Sequence, residues 1–365
     1  MPVYLHGVAT AVPATAYAQH TALDVMRSWV GGDRRTDRLL RRIYTHSGID
    51  TRHSVVSDFV AGGEGGFYLD GESGALRSPG TAERNARYAR EALTLFPQVA
   101  AGALERARGF RPEDVTHVVT ASCTGFVAPG PDLAVVQALG LRAGTERFHL
   151  GFMGCYAVFP ALRMARAFCL ADPDAVVLVA AVELCSLHLQ PRCDLDALVA
   201  ASVFADGAAA TVVSAREPAA GGLRIDGFSA AVAPEGADAM AWTIGDTGFD
   251  MVLSSYVPKI VGARAWEAVE PLLGAAGLAR EGVRRWAVHP GGRAILDRVE
   301  QGLGLPAAAL AASRSVLRRY GNMSSATVMF VLREVLEGGA QAAEPVVAMA
   351  FGPGLTVDAG LFSVA

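Results

Sequence analysis

Gly151-Phe152-Met153-Gly154-Cys155-Tyr156-Ala157 follows a short apolar segment and opens a helical run that ends near Leu170. A thiol in the first turn of a helix meets the positive end of the dipole and unpaired N–H groups, and both favour the thiolate. The glycines at 151 and 154 let the backbone turn sharply and leave room for a substrate carbonyl. Spacing alone leaves two readings of Cys155. It is either a nucleophile or a small buried hydrophobe, the ordinary fate of a free cysteine.

On either side of this stretch, strand-like and helix-like runs alternate. Val115–Thr120, Ala175–Val182 and Ala208–Val213 read as buried strands, and Asp132–Leu139 as a helix after a Gly/Pro-rich turn. Further on, Trp266–Leu273 reads as helix, Arg285–Val288 as a short strand and Arg293–Leu303 as helix. Pro306–Arg319 and Ser324–Leu336 are two helices parted by Tyr320-Gly321-Asn322. Pro345–Phe351 and Thr356–Val364 are strands joined by Gly352-Pro353-Gly354. This order predicts an α/β protein with a mainly parallel or mixed sheet. The turn-rich segment 214–222 divides it into two units, 1–216 and 217–365.

The bulk numbers agree. The chain has 365 residues, 52% hydrophobic, 19% charged and 7% aromatic. The small apolar residues behind that figure suit closely packed strands and helices. A net charge of −4 argues against a broad nucleic-acid surface. The longest apolar stretch, Phe152–Leu170, is broken by Arg163 and Arg166, so no membrane span is expected. The five cysteines, Cys123, Cys155, Cys169, Cys185 and Cys193, show no CxxC pairing. That argues against a disulfide framework or a metal site and for a reducing, cytoplasmic location.

Two segments stand apart. Asp58–Gly80 is rich in Gly, Ser and acidic residues and reads as a surface excursion. Its Gly62-Gly63-Glu64-Gly65-Gly66 superficially matches a phosphate loop, but no strand leads in and no Lys follows. Arg34–Arg42 reads as a helix with one basic face (Arg34, Arg38, Arg41, Arg42). Such a face is either solvated or a dock for an anionic arm such as the phosphates of coenzyme A.

His289, in Val288-His289-Pro290-Gly291-Gly292, lies at a strand-to-helix corner. An imidazole there can polarise a thioester oxygen or pair with a thiolate; it can equally be a packing residue. Asn322, in Tyr320-Gly321-Asn322-Met323-Ser324-Ser325-Ala326-Thr327, can donate to a developing oxyanion or cap a helix.

In order and wording, Gly154-Cys155-Tyr156-Ala157, His289-Pro290-Gly291-Gly292, Gly321-Asn322-Met323-Ser324-Ser325 and Phe351-Gly352-Pro353-Gly354-Leu355-Thr356 resemble the type III polyketide synthases. These are chalcone synthase-like members of the thiolase-fold condensing enzymes, and the resemblance covers nearly the whole chain. It implies a thiolase-like α/β fold, layered α-β-α-β-α with two similar halves, and a homodimer. It implies acyl-CoA and malonyl-CoA as substrates, with no cofactor and no metal. Cys155 would carry the starter and growing chain. His289 and Asn322 would bind the malonyl thioester and stabilise the enolate left by decarboxylation, and His289 would hold Cys155 as thiolate. Phe204 and Phe249 match the family's gatekeepers between the CoA tunnel and the cavity.

Cys123, Cys185, His188, Met240 and Ser324 would line the cavity, along with Gly352, Pro353 and Gly354. Arg38, Arg41, Arg42, Gly291, Gly292 and Ala294 would contact CoA. Cys123, Cys185 and His188 replace threonines of the plant pattern and Met240 a glycine, which points away from an aromatic starter and towards an aliphatic one. Ala128, before Pro129, stands where the plant enzymes place a methionine that reaches the partner subunit. The products expected are a pyrone or resorcinol-type ring. The alternative is a single condensation of the ketoacyl-acyl-carrier-protein synthase III type.

Overall fold

The computed structural model describes residues 1–60, 63, 65–219 and 221–365. The first half contains β1 (Tyr4–Ala11), β2 (Thr15–Ala18), α1 (Gln19–Val30), α2 (Arg34–Thr45), β3 (Thr51–Ser54), α3 (Thr81–Arg106) and β4 (His117–Ser122). It continues with α4 (Pro131–Leu139), β5 (Glu146–Gly151), α5 (Val158–Ala171), β6 (Val176–Leu184), α6 (Leu195–Val203) and β7 (Asp206–Ser214). The second half contains β8 (Leu223–Val232), β9 (Met240–Gly245), β10 (Gly248–Leu253), α7 (Val257–Ala275), β11 (Arg285–Val288) and α8 (Arg293–Leu303). It ends with α9 (Ala311–Tyr320), α10 (Thr327–Glu337), β12 (Pro345–Gly352) and β13 (Thr356–Val364).

Among the described residues, nine strands run in the order β11-β12-β13-β8-β1-β7-β6-β4-β5. Each half repeats one pattern: a parallel group (β5, β4, β6; β11, β12), then antiparallel strands. The halves join where β1 meets β8 over only Tyr4–Leu5 and Leu223–Arg224. The β9–β10 and β2–β3 pairs stand outside this sheet.

The apolar runs of β6, β7 and β12 follow from burial on both faces. Successive side chains of a strand point to opposite faces. Val177, Val179 and Ala181 of β6 pack inward with α5 and α10, whereas Val176, Leu178 and Ala180 pack outward on α3. In β12, Val346, Ala348 and Ala350 face the same central helices, and Val347, Met349 and Phe351 face α7 and α8. Helix, sheet, helix pair, sheet, helix is the resulting five-layer stack, as the resemblance implied.

Three expectations need correction. The helix after Cys155 starts later than expected. Gly154–Ala157 is a separate turn closed by the Ala157 N–H on the Gly154 carbonyl (3.0 Å), and α5 begins at Val158. Cys155 therefore sits one turn before the helix, where dipole stabilisation is weaker. The Asp58–Gly80 segment is not wholly superficial. Asp58 Oδ2 accepts from the N–H groups of Phe67, Tyr68 and Leu69, and this fold-back buries Tyr68. The Gly62–Gly66 stretch lies partly outside the described residues. Finally, Pro306–Arg319 is a 3-10 turn (Ala307–Leu310) leading into α9 rather than one helix.

Candidate active site

Cys155, His289 and Asn322 come from the two halves and line one cavity of about 460 Å³. Two positive-φ glycines shape the approach. Gly154 has φ +80, and a Cβ there would stand 2.3 Å from Pro353 Cδ, so the Cys155 turn and the Gly352–Gly354 turn can meet only over a bare backbone. Gly321, φ +73, ends α9 and turns the chain to Asn322.

His289 extends the β11–β12 ladder, its N–H bonding the Met349 carbonyl at 2.8 Å. Its ring is buried, and neither ring nitrogen has a hydrogen-bond partner among the described residues. Buried polar atoms are normally paired, and the ring faces the cavity it helps to line. Burial lowers His289 to about 3, which keeps it neutral. Burial likewise pushes the Cys155 thiol up to about 12, opposed by hydrogen bonding from Ser324 and Asn322. Both shifts favour the uncharged form of each group. The helix argument pulls the other way, towards the thiolate, and burial opposes it.

Asn322 uses both ends of its amide. Oδ1 accepts from the Ser324 N–H (2.9 Å), two residues on, while Nδ2 donates to the Gly291 carbonyl at 3.2 Å. Asn322 is therefore not the N-cap of the Ser324–Ala326 turn, whose N-cap is Met323, and its Nδ2 has a second N–H beyond the one given to Gly291. The Asn322 backbone is locked to the first half, with Asn322 N–H on Val203 O and Ala205 N–H on Asn322 O, each 2.8 Å. The same bridge holds Phe204 beside Asn322.

Phe204, Phe249, Cys123, Cys185, His188, Met240, Ser324 and Pro353 line the same cavity. Gly352 and Gly354 are not among its lining residues. Gly352 packs on Tyr156, where a Cβ would be 2.2 Å from the ring, and Gly354 is an exposed turn residue with φ +104. Gly291, Gly292 and Ala294 line the cavity, whereas Arg38, Arg41 and Arg42 lie on the exposed face of α2, with Arg41 bonded to Asp37.

Sequence reading passed over several residues. Arg293 and His46 are exposed cavity residues of positive or titratable character. Arg52 binds the carbonyls of Ala201 and Phe204 (2.7 and 2.8 Å), fixing the chain at Phe204. Glu183 is fully buried and accepts from Cys123 N–H, Thr124 Oγ1 and Ser325 Oγ, which ties the Cys123 loop to the Asn322 loop. Burial raises Glu183 to about 7, its hydrogen bonds opposing. A charged residue interrupting the otherwise apolar run Val176–Leu184 was the available signal.

A cysteine, a neutral histidine and an asparagine, meeting where two halves of a five-layer α/β stack join, define a thiolase-fold condensing enzyme. Family models for the chalcone and stilbene synthases match residues 2–218 (N-terminal domain) and 227–364 (C-terminal domain). The chain is 31% identical to an alpha-pyrone synthesis polyketide synthase-like protein, Pks18, of Mycobacterium tuberculosis, covering 99% of this chain and 91% of the relative. It is 32% identical to 1,3,6,8-tetrahydroxynaphthalene synthase of Streptomyces peucetius, covering 90% and 84%. It superposes on the crystal structure of PKS-I from the brown alga Ectocarpus siliculosus with a TM-score of 0.92, at 30% identity and covering 100% and 98%. The chain belongs to the chalcone and stilbene synthase family of type III polyketide synthases, and these relatives fit iterative extension rather than the single-condensation alternative.

Proposed function

We propose that the protein loads an aliphatic acyl-CoA on Cys155, extends it with malonyl-CoA and releases a pyrone or resorcinol-type ring. The observation that carries this is the convergence of Cys155, Asn322 and the unpartnered His289 ring on one cavity. In loading, Cys155 Sγ attacks the thioester carbonyl as its proton passes to His289. The pair stays net neutral, which burial requires, and the proton then leaves with CoA as its thiol. In extension, the malonyl carboxylate departs as carbon dioxide. The enolate oxygen is held by an imidazole N–H and Asn322 Nδ2–H, and the enolate carbon attacks the acyl group on Cys155, expelling the thiolate.

Apolar side chains of α1, α2 and α6, such as Met26, Ile43, Leu195 and Val199, form part of the cavity wall and support an aliphatic starter. The exposed Arg293, which lines the cavity, supports CoA phosphates docking there, and the basic face of α2, outside the lining, offers further cations. Two structural units, 1–216 and 217–365, and a cytoplasmic location belong to the same reading. The location rests on cysteine usage; among the described residues no helix is long and apolar enough to cross a membrane. A homodimer is supported by the edge strand β5, whose outer side is unpaired among the described residues, and by the exposed rings of Phe126 and Phe152, 44% and 41% accessible.

The test is incubation with radiolabelled malonyl-CoA and a panel of acyl-CoAs. Wild type should give labelled cyclic products from at least one aliphatic starter. Cys155→Ala should give none and show no acyl adduct by intact mass. Full activity in Cys155→Ala would remove the assignment.

A further inference from the structure

Phe249 lies in the β9–β10 hairpin, outside the nine-stranded sheet, so the main ladder does not fix its place. Thr81 holds the turn of the hairpin, with the Gly248 N–H on Thr81 Oγ1 and the Thr81 N–H on the Asp246 carbonyl, each 2.8 Å, and the 3-10 turn Cys185–His188 with the residues after it holds Phe249 itself. The Phe249 N–H donates to His188 Nδ1 at 3.2 Å, and Gln190 Nε2 donates to the Phe249 carbonyl at 3.1 Å. Both backbone polar atoms of Phe249 are thus held by a segment of the other half. His188 Nε2 is 2.7 Å from the Thr124 carbonyl. A carbonyl only accepts, so Nε2 carries the proton and Nδ1 is the bare acceptor. One neutral tautomer satisfies both bonds.

The rings reinforce this arrangement. The His188 and Phe249 rings stack with centroids 3.9 Å apart and planes within 11°, and Trp242 stacks on Phe249 at 5.1 Å and 10°. The backbone around the contact is fitted to it. Gly248 has φ +110, and a Cβ there would meet Arg84 Cδ at 3.0 Å and His188 Nδ1 at 3.3 Å. The fully buried Arg84 in turn donates to the carbonyls on either side of His188, those of Leu187 (2.6 Å) and Leu189 (2.9 Å). Burial lowers His188 to about 4, opposed by its bond to Thr124, consistent with a neutral ring.

We propose that His188 is a positioning residue that latches Phe249 and the β9–β10 hairpin to the Thr124 loop, making a rigid cavity wall that limits chain length on Cys155. This rests on the reading of the site as a chain-extending one. A latch differs from a merely bulky lining residue, because its effect depends on two hydrogen bonds rather than on volume.

The experiment uses the full chain with His188→Phe, which keeps a stacking ring but has no ring nitrogen, and His188→Gln, which can donate to Thr124 and accept from Phe249. Product length is compared among chains loaded on Cys155, with loading read by intact mass, so that any change in loading does not enter the ratio. The ratio of longer to shorter products should rise about fivefold in His188→Phe, the factor expected from one lost hydrogen bond of ordinary strength, and should stay near wild type in His188→Gln. Unchanged or shorter products in His188→Phe, or an equal shift in His188→Gln, overturn the proposal. Wild-type protein labelled with ¹⁵N-histidine should show the His188 Nε2–H tautomer at neutral pH; the Nδ1–H form, or exchange between the two, also overturns it. A wild-type chain that condenses no starter defeats the functional reading instead, and the histidine spectrum then decides the latch alone.

Discussion

At the scale of the residue, the site depends on what burial does to each polar group. Asn322 Nδ2 already has one acceptor in Gly291 O and a second N–H to offer an enolate. Asn322→Ala should lower malonyl-CoA decarboxylation by about 10²–10³, the usual cost of losing an oxyanion donor. Acyl loading on Cys155 should fall much less; equal loss of both would show that Asn322 only holds the loop. Glu183 gives a pH test. Its folded value, about 7, lies above its ordinary 4.5. The native state therefore binds this proton more tightly, and the stability it confers is complete below 4.5 and lost as pH rises through 7. The melting temperature of wild type should fall relative to Glu183→Gln over that window, by on the order of 5 °C, and level off above it. Asp206 and Asp358, both raised to about 6, shift in the same sense in both proteins and drop out of the difference. A flat difference between pH 4.5 and 8 would mean that Glu183 is ionised throughout.

At the scale of the element, the catalytic loops are held by contacts that only glycine permits. Gly154→Ala would both force a positive φ on a side chain and drive Cβ into Pro353. We expect a loss of about 2 kcal/mol in stability, typical of overpacking. Loading on Cys155 should drop at least about tenfold, because the thiol would be displaced from its partners. Normal loading with a lowered melting temperature would separate the fold from the chemistry. Much of this level was legible in the sequence: β11, α8 and β13 begin and end where pattern and turn residues place them. The exceptions have local causes. The Cys155 turn and the Ala307–Leu310 turn are 3-10 or irregular pieces before helices, which hydrophobic periodicity does not distinguish from a first helical turn.

At the scale of the whole molecule, the edge strand β5 and the aromatic pair Phe126–Phe152, ring centroids 6.0 Å apart, mark the face proposed for a second copy. Wild type should sediment at twice the chain mass, and Phe126→Asp/Phe152→Asp should shift it towards monomer, since a buried unpaired carboxylate is costly. A monomeric wild type would remove the dimer from the reading. The sequence by itself determined the α/β alternation, the candidate nucleophile and, through the wording of its loops, the family and the three candidate residues of the site. Those depend on local pattern and residue chemistry, which the linear order carries. Only the tertiary structure decided that burial opposes charge on Cys155 and His289, that Glu183 ties two loops together and that the His188 side chain bonds the Phe249 backbone. Each of these is set by desolvation or by contacts between segments far apart in the chain, and no local pattern encodes either.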